Sequence, residues 1–261
     1  MMKLLIRILK SLCIAFSMFS KLPVPQFAWK EEDMKYMLLF FPFVGIVIGG
    51  AAYVWWLVCN TFSIGSVCFA LVGTAIPVLL SGGIHADGYM DTMDALHSYQ
   101  PKEKKLEICK DPHAGAFSVI WLLLYYLLYA GAYSELNSAR ALLLLGTGYW
   151  LSRILSGFGS VCFPCAKKDG LISLFAGQSD KAVVRSLLSI QLLACGAILL
   201  YLSFLVGGAV ILMSILTLLF YRYQCGKEFG GITGDTTGYF TMLCEGVIAV
   251  VTAAGCVMGF L

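Results

Sequence analysis

Asp87, Asp91 and Asp94 lie at i, i+4 and i+7 in the stretch SGGIHADGYMDTMDALHSYQPKEKKLEICKDPHAG, residues 81–115. On a helix turning 100° per residue they fall inside an arc of about 60° and share one face. Three carboxylates that close repel one another unless a cation lies among them. Hard divalent ions such as Mg²⁺ take such oxygens, commonly one or two carboxylates with waters and substrate phosphates completing the shell. The same stretch holds all three histidines, His85, His97 and His113, and six of the 15 acidic residues. Gly82, Gly83 and Gly88 lack a Cβ, which leaves room for a bulky anion near the backbone. Asp111 offers a further metal ligand, and Lys110 and His113 offer cations for phosphate oxygens. The opposing reading is a solvated acidic face. It carries less weight here because carboxylates beside membrane spans are rare and usually functional.

A second segment adds to the chemistry. Gly230, Gly231, Thr233, Gly234, Asp235 and Gly238 belong to the run GGITGDTTG. Glycine-rich turns expose backbone N–H groups that cradle phosphate. Asp235 adds an oxygen ligand and the threonines add hydroxyls. Together these residues suit phosphoryl or pyrophosphate chemistry. Mg²⁺ would bridge phosphate oxygens and offset charge on the leaving group, and a hydroxyl would attack phosphorus with His85 or one of the aspartates as base.

Long apolar runs must position these groups. The chain of 261 residues is 59% apolar and 13% charged, with a mean hydropathy of +0.84. No charged side chain occurs in residues 36–84 or 186–221. Runs of 18 or more such residues are membrane spans. The predicted fold is an all-α polytopic bundle of about seven transmembrane helices, six being the alternative, in one domain over residues 1–261. The spans are expected near 36–59, 67–81, 114–133, 141–161, two within 186–221 broken at Gly207-Gly208, and 238–260. Residues 82–113, 164–185 and 222–237 are then loops, the second carrying Lys167, Lys168, Asp169, Asp180 and Lys181. Residues 1–35 form an interfacial amphipathic helix and linker, with Lys3, Arg7 and Lys10 on its basic face. Seven spans put that segment and all three loops on one side, with 16 of the 18 Lys and Arg. By the positive-inside bias that side is the cytoplasm and the membrane is the plasma membrane.

Arg153 falls in mid-span, where it costs about 3 kcal/mol unless paired with a carboxylate or a substrate phosphate. The net charge of +3 gives no footprint for nucleic acid. Cys162 and Cys165 have CxxC spacing but no second pair or nearby histidine, so a zinc site is not expected.

GGIHADGYMDTMDAL, LEICKDPHAGAF and FGGITGDTTG resemble, in order, three motifs of the cobalamin synthase family, the adenosylcobinamide-GDP ribazoletransferases. KLPVP and FFPFVGIVIG are similar to that family too. The resemblance covers nearly the whole chain. It implies Mg²⁺-dependent attack by a ribose hydroxyl of α-ribazole, or of its 5′-phosphate, on the cobinamide-side phosphorus of adenosylcobinamide-GDP, with GMP leaving. It assigns His85, Asp87, Gly88, Asp91 and Asp94 to the first motif, Lys110, Asp111 and Gly115 to the second, and Gly230, Gly231, Thr233, Gly234, Asp235 and Gly238 to the third. Ala95 and Met242 depart from the family pattern, while Glu245 follows it. Among rivals, a CDP-alcohol phosphotransferase needs Ala-Arg two residues after Asp-Gly, where this chain has Tyr-Met-Asp. A prenyltransferase would use Asp87 and Asp91 on a diphosphate. A proton-coupled transporter would need ionisable groups inside its spans, where only Arg153 qualifies.

Overall fold

A computed structural model describes residues 2–25, 27–167 and 170–261, and the side chains of all of these except 2–4 and 171. Lys168, Asp169 and the Lys3 side chain therefore lie outside the described residues. Eleven α-helices follow one another among the described residues, and the only strand-like pairing is an isolated parallel bridge between Cys165 and Ile232.

Helix α1 (Met2–Phe19) leads through a 3-10 turn at Glu31–Met34 into α2 (Met37–Thr61). Two of its basic residues are engaged by that turn: Arg7 meets Glu32 and Lys10 meets Asp33, each at 3.0 Å. Its exposed face carries Leu5, Ile6 and Leu9, an apolar stripe suited to a lipid interface. Helices α3 (Ser66–Ser81), α6 (Ala116–Ser134), α7 (Ala139–Cys162), α9 (Lys181–Leu202), α10 (Phe204–Glu228) and α11 (Gly234–Val257) complete the bundle. Six helices are individually long and apolar enough to cross a membrane. The 16-residue α3 would be the seventh crossing; it extends about 24 Å, slightly short of a hydrocarbon core of about 30 Å.

The buried axis of the bundle is α7. Small residues bring α2 against it: a Cβ on Gly49 would stand 2.6 Å from the Gly146 carbonyl oxygen. Close backbone approach of this kind drives helix association where lipid offers no hydrophobic gradient. The outer helices turn leucines outward, such as Leu123, Leu127 and Leu128 on α6 and Leu212, Leu216 and Leu219 on α10.

Two boundaries differ from the sequence expectation. The paired spans break at Ser203, not at Gly207-Gly208: Ser203 is extended and its hydroxyl accepts from the Val206 amide, capping α10. A serine cap stops a helix by satisfying its orphan donors, whereas Gly207 sits inside α10 where its missing side chain admits the Leu199 carbonyl. The third loop shrinks to residues 229–233, because α10 continues through Arg222 and Lys227 before ending at Glu228. The other two loops carry helices of their own, α4 (Ile84–His97), α5 (Lys102–Ile108) and α8 (Leu171–Gln178). Alternating crossings leave these, the end of α1 and the start of α11 at one end of the bundle. Contacts tie that end together: the Lys21 amide donates to the Leu80 carbonyl at 2.8 Å, and Lys35 pairs with Asp180 at 3.2 Å.

Candidate active site

The aspartate face owes its orientation to a sharp corner. Gly82 and Gly83 both have positive φ, +68° and +79°, a conformation that glycine adopts without strain. Between them α4 bends 94° from α3 and lies across the end of the bundle, outside the spans. The two glycines thus serve the turn. Gly88 also has a packing role. A Cβ there would meet the Asp235 carbonyl oxygen at 2.6 Å, and one on Gly238 would meet the His85 backbone at 3.2 Å. These two glycines let α4 and the first turn of α11 touch, which brings Asp235 beside the α4 aspartates.

That convergence leaves an electrostatic signature. Burial, and then the charges of Asp87, Asp235 and Asp94, push the Asp91 carboxyl up to about 7. The charges of Asp87, Asp235 and Asp94 act on Asp91, yet no three Asp, Glu, His or Cys side chains among the described residues already surround a common point. The donor set is all hard oxygen, and it is open. It fits an ion that takes one or two carboxylates and completes its shell from water and phosphate, and it does not fit a closed cage. Asp94 is the least available: its Oδ2 accepts from the Gly115 amide at 2.6 Å and its Oδ1 from the Ser118 amide at 2.7 Å. It caps α6, and Gly115 is its partner in that cap.

The start of α11 is more heavily bonded than a phosphate cradle requires. Thr233 and Thr236 form a reciprocal capping box. The Gly231 amide donates to Cys225 and the Ile232 amide to Pro164. Gly230 and Gly231 shape the turn, Gly230 at φ +77°, with Gly231 pressed against the 164–166 backbone. Gly234 and Asp235 form the first turn of α11 between the two threonines of the box, and the Asp235 carboxylate is met by its own backbone amide and by Thr233.

Two clefts flank that helix end. The larger lies between α1, α2, α4, α7, α8 and α11, with Asp87, Asp235, Phe19, Phe41 and Phe175 in its wall. The other has Lys110, Lys167, Thr233 and Asp235 in its wall. Sequence reasoning missed Lys167 and the aromatic residues, since nothing local distinguishes them from ordinary loop and span residues. Asp111 and His113 enter neither cleft. The Asp111 carboxylate accepts from the His113 amide at 2.9 Å and pairs with its ring at 2.8 Å, and these donations hold Asp111 below its usual range.

The chain matches the profile of the cobalamin-5-phosphate synthase family over residues 11–253. A protein named adenosylcobinamide-GDP ribazoletransferase from Lachnoclostridium phytofermentans is 41% identical over 252 residues, covering 96% of both chains. Proteins of the same name from Clostridium perfringens, 31% identical over 90% of this chain and 94% of the relative, and from Listeria monocytogenes, 30% identical over 88% and 92%, are similar too. This chain belongs to the cobalamin-5-phosphate synthase family. No solved structure matches it. Family membership sets aside the CDP-alcohol phosphotransferase, prenyltransferase and transporter readings.

Within this family member, the remaining motif residue, His85, turns inward. Its ring packs edge-on to Phe41 with centroids 5.8 Å apart, and its Nε2 has no hydrogen-bond partner among the described residues. Burial, and then the nearby Arg153 charge, bring its value down to about 3. A ring that weakly basic is a poor proton acceptor near neutrality. Arg153 finds its partner in a carboxylate of the chain: its Nη1 donates to Glu245 at 2.5 Å and to the Tyr149 carbonyl at 3.0 Å. The pair is buried and bridges α7 to α11, while the Arg153 Nε and Nη2 have no hydrogen-bond partner among the described residues.

Proposed function

We propose that this chain transfers the cobinamide phosphate of adenosylcobinamide-GDP to a ribose hydroxyl of α-ribazole, or of its 5′-phosphate, releasing GMP. The observation that carries the reading is the meeting of Asp87 and Asp235 on one cleft wall with Lys110 and Lys167 in the adjoining cleft, in a member of this family. Asp87, Asp91 and Asp235 would hold Mg²⁺, which when bound offsets charge on the diphosphate and its leaving oxygen. Lys110 and Lys167 bind and orient the nucleotide phosphates as point charges. The attacking hydroxyl gives its proton to a carboxylate of the cluster, Asp91 being the more basic group, since burial makes the His85 ring a weak base. One P–O bond forms to the ribose oxygen and the P–O bond to GMP breaks. The repulsion that Asp87, Asp235 and Asp94 exert on Asp91 supports the metal assignment. The 16 Lys and Arg at the site end of the chain support a multi-pass protein of the plasma membrane with its active site in the cytoplasm.

The test is purified protein in detergent with adenosylcobinamide-GDP, each acceptor in turn and Mg²⁺, the products read by mass. Cobalamin or its 5′-phosphate is expected together with GMP, lost on chelation and restored by Mg²⁺. Asp87→Ala and Asp91→Ala should each lower turnover at least a hundredfold with membrane insertion unchanged. Full turnover in chelator would remove the metal from the reading, and absence of product from both acceptors would remove the reaction itself.

A further inference from the structure

The two clefts differ in chemistry, and we infer that they divide the two substrates: the aromatic cleft seats the base of the acceptor nucleoside, and the lysine cleft seats the guanine nucleotide that departs. This rests on the reading above and adds a side to each substrate.

Position comes first. Ile172, Gly234 and Asp235 stand in the walls of both clefts, so the clefts meet at the first turn of α11. A bond made on one side of Asp235 and broken on the other is the arrangement that an in-line displacement needs.

Charge decides which substrate goes where. Among the described residues the aromatic cleft has no Lys or Arg in its wall. Its ionisable groups are Asp87, Asp235 and the buried His85, and its other polar groups are the hydroxyls of Ser160 and Thr237. The two carboxylates are those that would hold Mg²⁺, so this wall meets the diphosphate only through the ion, and the rest of the described wall offers a phosphate no lysine or arginine. A benzimidazole base is flat and largely apolar, and Phe19, Phe41 and Phe175 give this wall an aromatic lining suited to it. The second cleft has the opposite character. Lys110 and Lys167 share its wall with Thr233 and Asp235, and two ammonium groups beside the proposed metal ligand suit a nucleotide phosphate. The Lys167 ammonium is steadied by donation to the Leu106 carbonyl at 3.3 Å.

Steady-state kinetics of two variants separate the assignments. Phe175→Ala should raise KM for α-ribazole at least tenfold and leave KM for adenosylcobinamide-GDP within twofold. Lys167→Ala should do the reverse and weaken product inhibition by GMP at least tenfold. Phe175→Leu, which keeps the apolar volume, should restore KM for α-ribazole to within threefold and so separates lost contact from lost folding. Crossed effects, equal shifts in both KM values, or no shift in either variant would overturn the division. If the wild-type protein forms no product, the reaction falls but the division still meets a test by calorimetry. α-Ribazole should then bind more weakly to Phe175→Ala, and GMP more weakly to Lys167→Ala. Equal affinities across the variants would overturn it independently.

Discussion

Asp91 carries the clearest consequence of crowding carboxylates at the membrane surface. Its value near 7 arises from burial and from three neighbouring aspartates. A carboxyl raised in the folded state stabilises the fold while protonated. That contribution is complete below about pH 4 and is lost as pH rises through about 7. The metal-free protein in detergent should therefore melt at progressively lower temperature from pH 5 to pH 8. Mg²⁺ should recover most of the loss at pH 8, because a cation among the carboxylates replaces the lost proton. Asp91→Asn should flatten the metal-free profile, raise melting temperature at pH 8 and abolish turnover. A profile that is flat in the wild-type protein would show that the aspartates do not interact. The aspartate face was legible because helical periodicity is a local property of the sequence. Lys167 was not, since its place in a cleft depends on a connection meeting α5 and α11 in space.

Among the elements, α4 and α6 are joined by a carboxylate assigned to metal in the sequence. Asp94 accepts two backbone amides at the start of α6, and Gly115 lies 21 residues away, too far for a spacing argument to reveal the cap. Charge at a helix N-terminus also favours the macrodipole. Asp94→Asn keeps one acceptor oxygen and loses the charge. It should cost about 1 kcal/mol, lowering the melting temperature by about 2–4 °C for a protein of this size. The Mg²⁺ concentration for half-maximal turnover should stay within twofold. A tenfold rise in that concentration would return Asp94 to the ligands. The spans themselves were legible, because uncharged runs of such length have one stable home. The break at Ser203 was not, since two adjacent glycines look like a stronger break than a single serine. Here Gly207 is a packing residue inside α10, and only tertiary contact distinguishes the two uses.

For the whole molecule, the buried pair of Arg153 and Glu245 sets the register of the bundle that supports the site. The two residues stand 92 apart in sequence and 2.5 Å apart in space, so the sequence showed an arginine in need of a partner without showing which. The pair joins α7, the buried axis, to α11, whose first turn carries Asp235 and both cleft walls. Removing one member leaves an uncompensated charge in a low-dielectric interior, a loss of about 3–5 kcal/mol. Replacing both by apolar residues is often close to neutral, because neither charge then has to be desolvated. Arg153→Leu and Glu245→Leu should each lower the unfolding free energy by that amount, and the double variant should regain most of it. Equilibrium unfolding in mixed micelles measures all three. If the pair acts only by holding the helices together, the double variant should also recover turnover to within tenfold of wild type. A double variant that is stable yet inactive would show that Arg153 acts on the chemistry through the adjacent His85. A double variant as unstable as the sum of the singles would show that the two charges do not support each other.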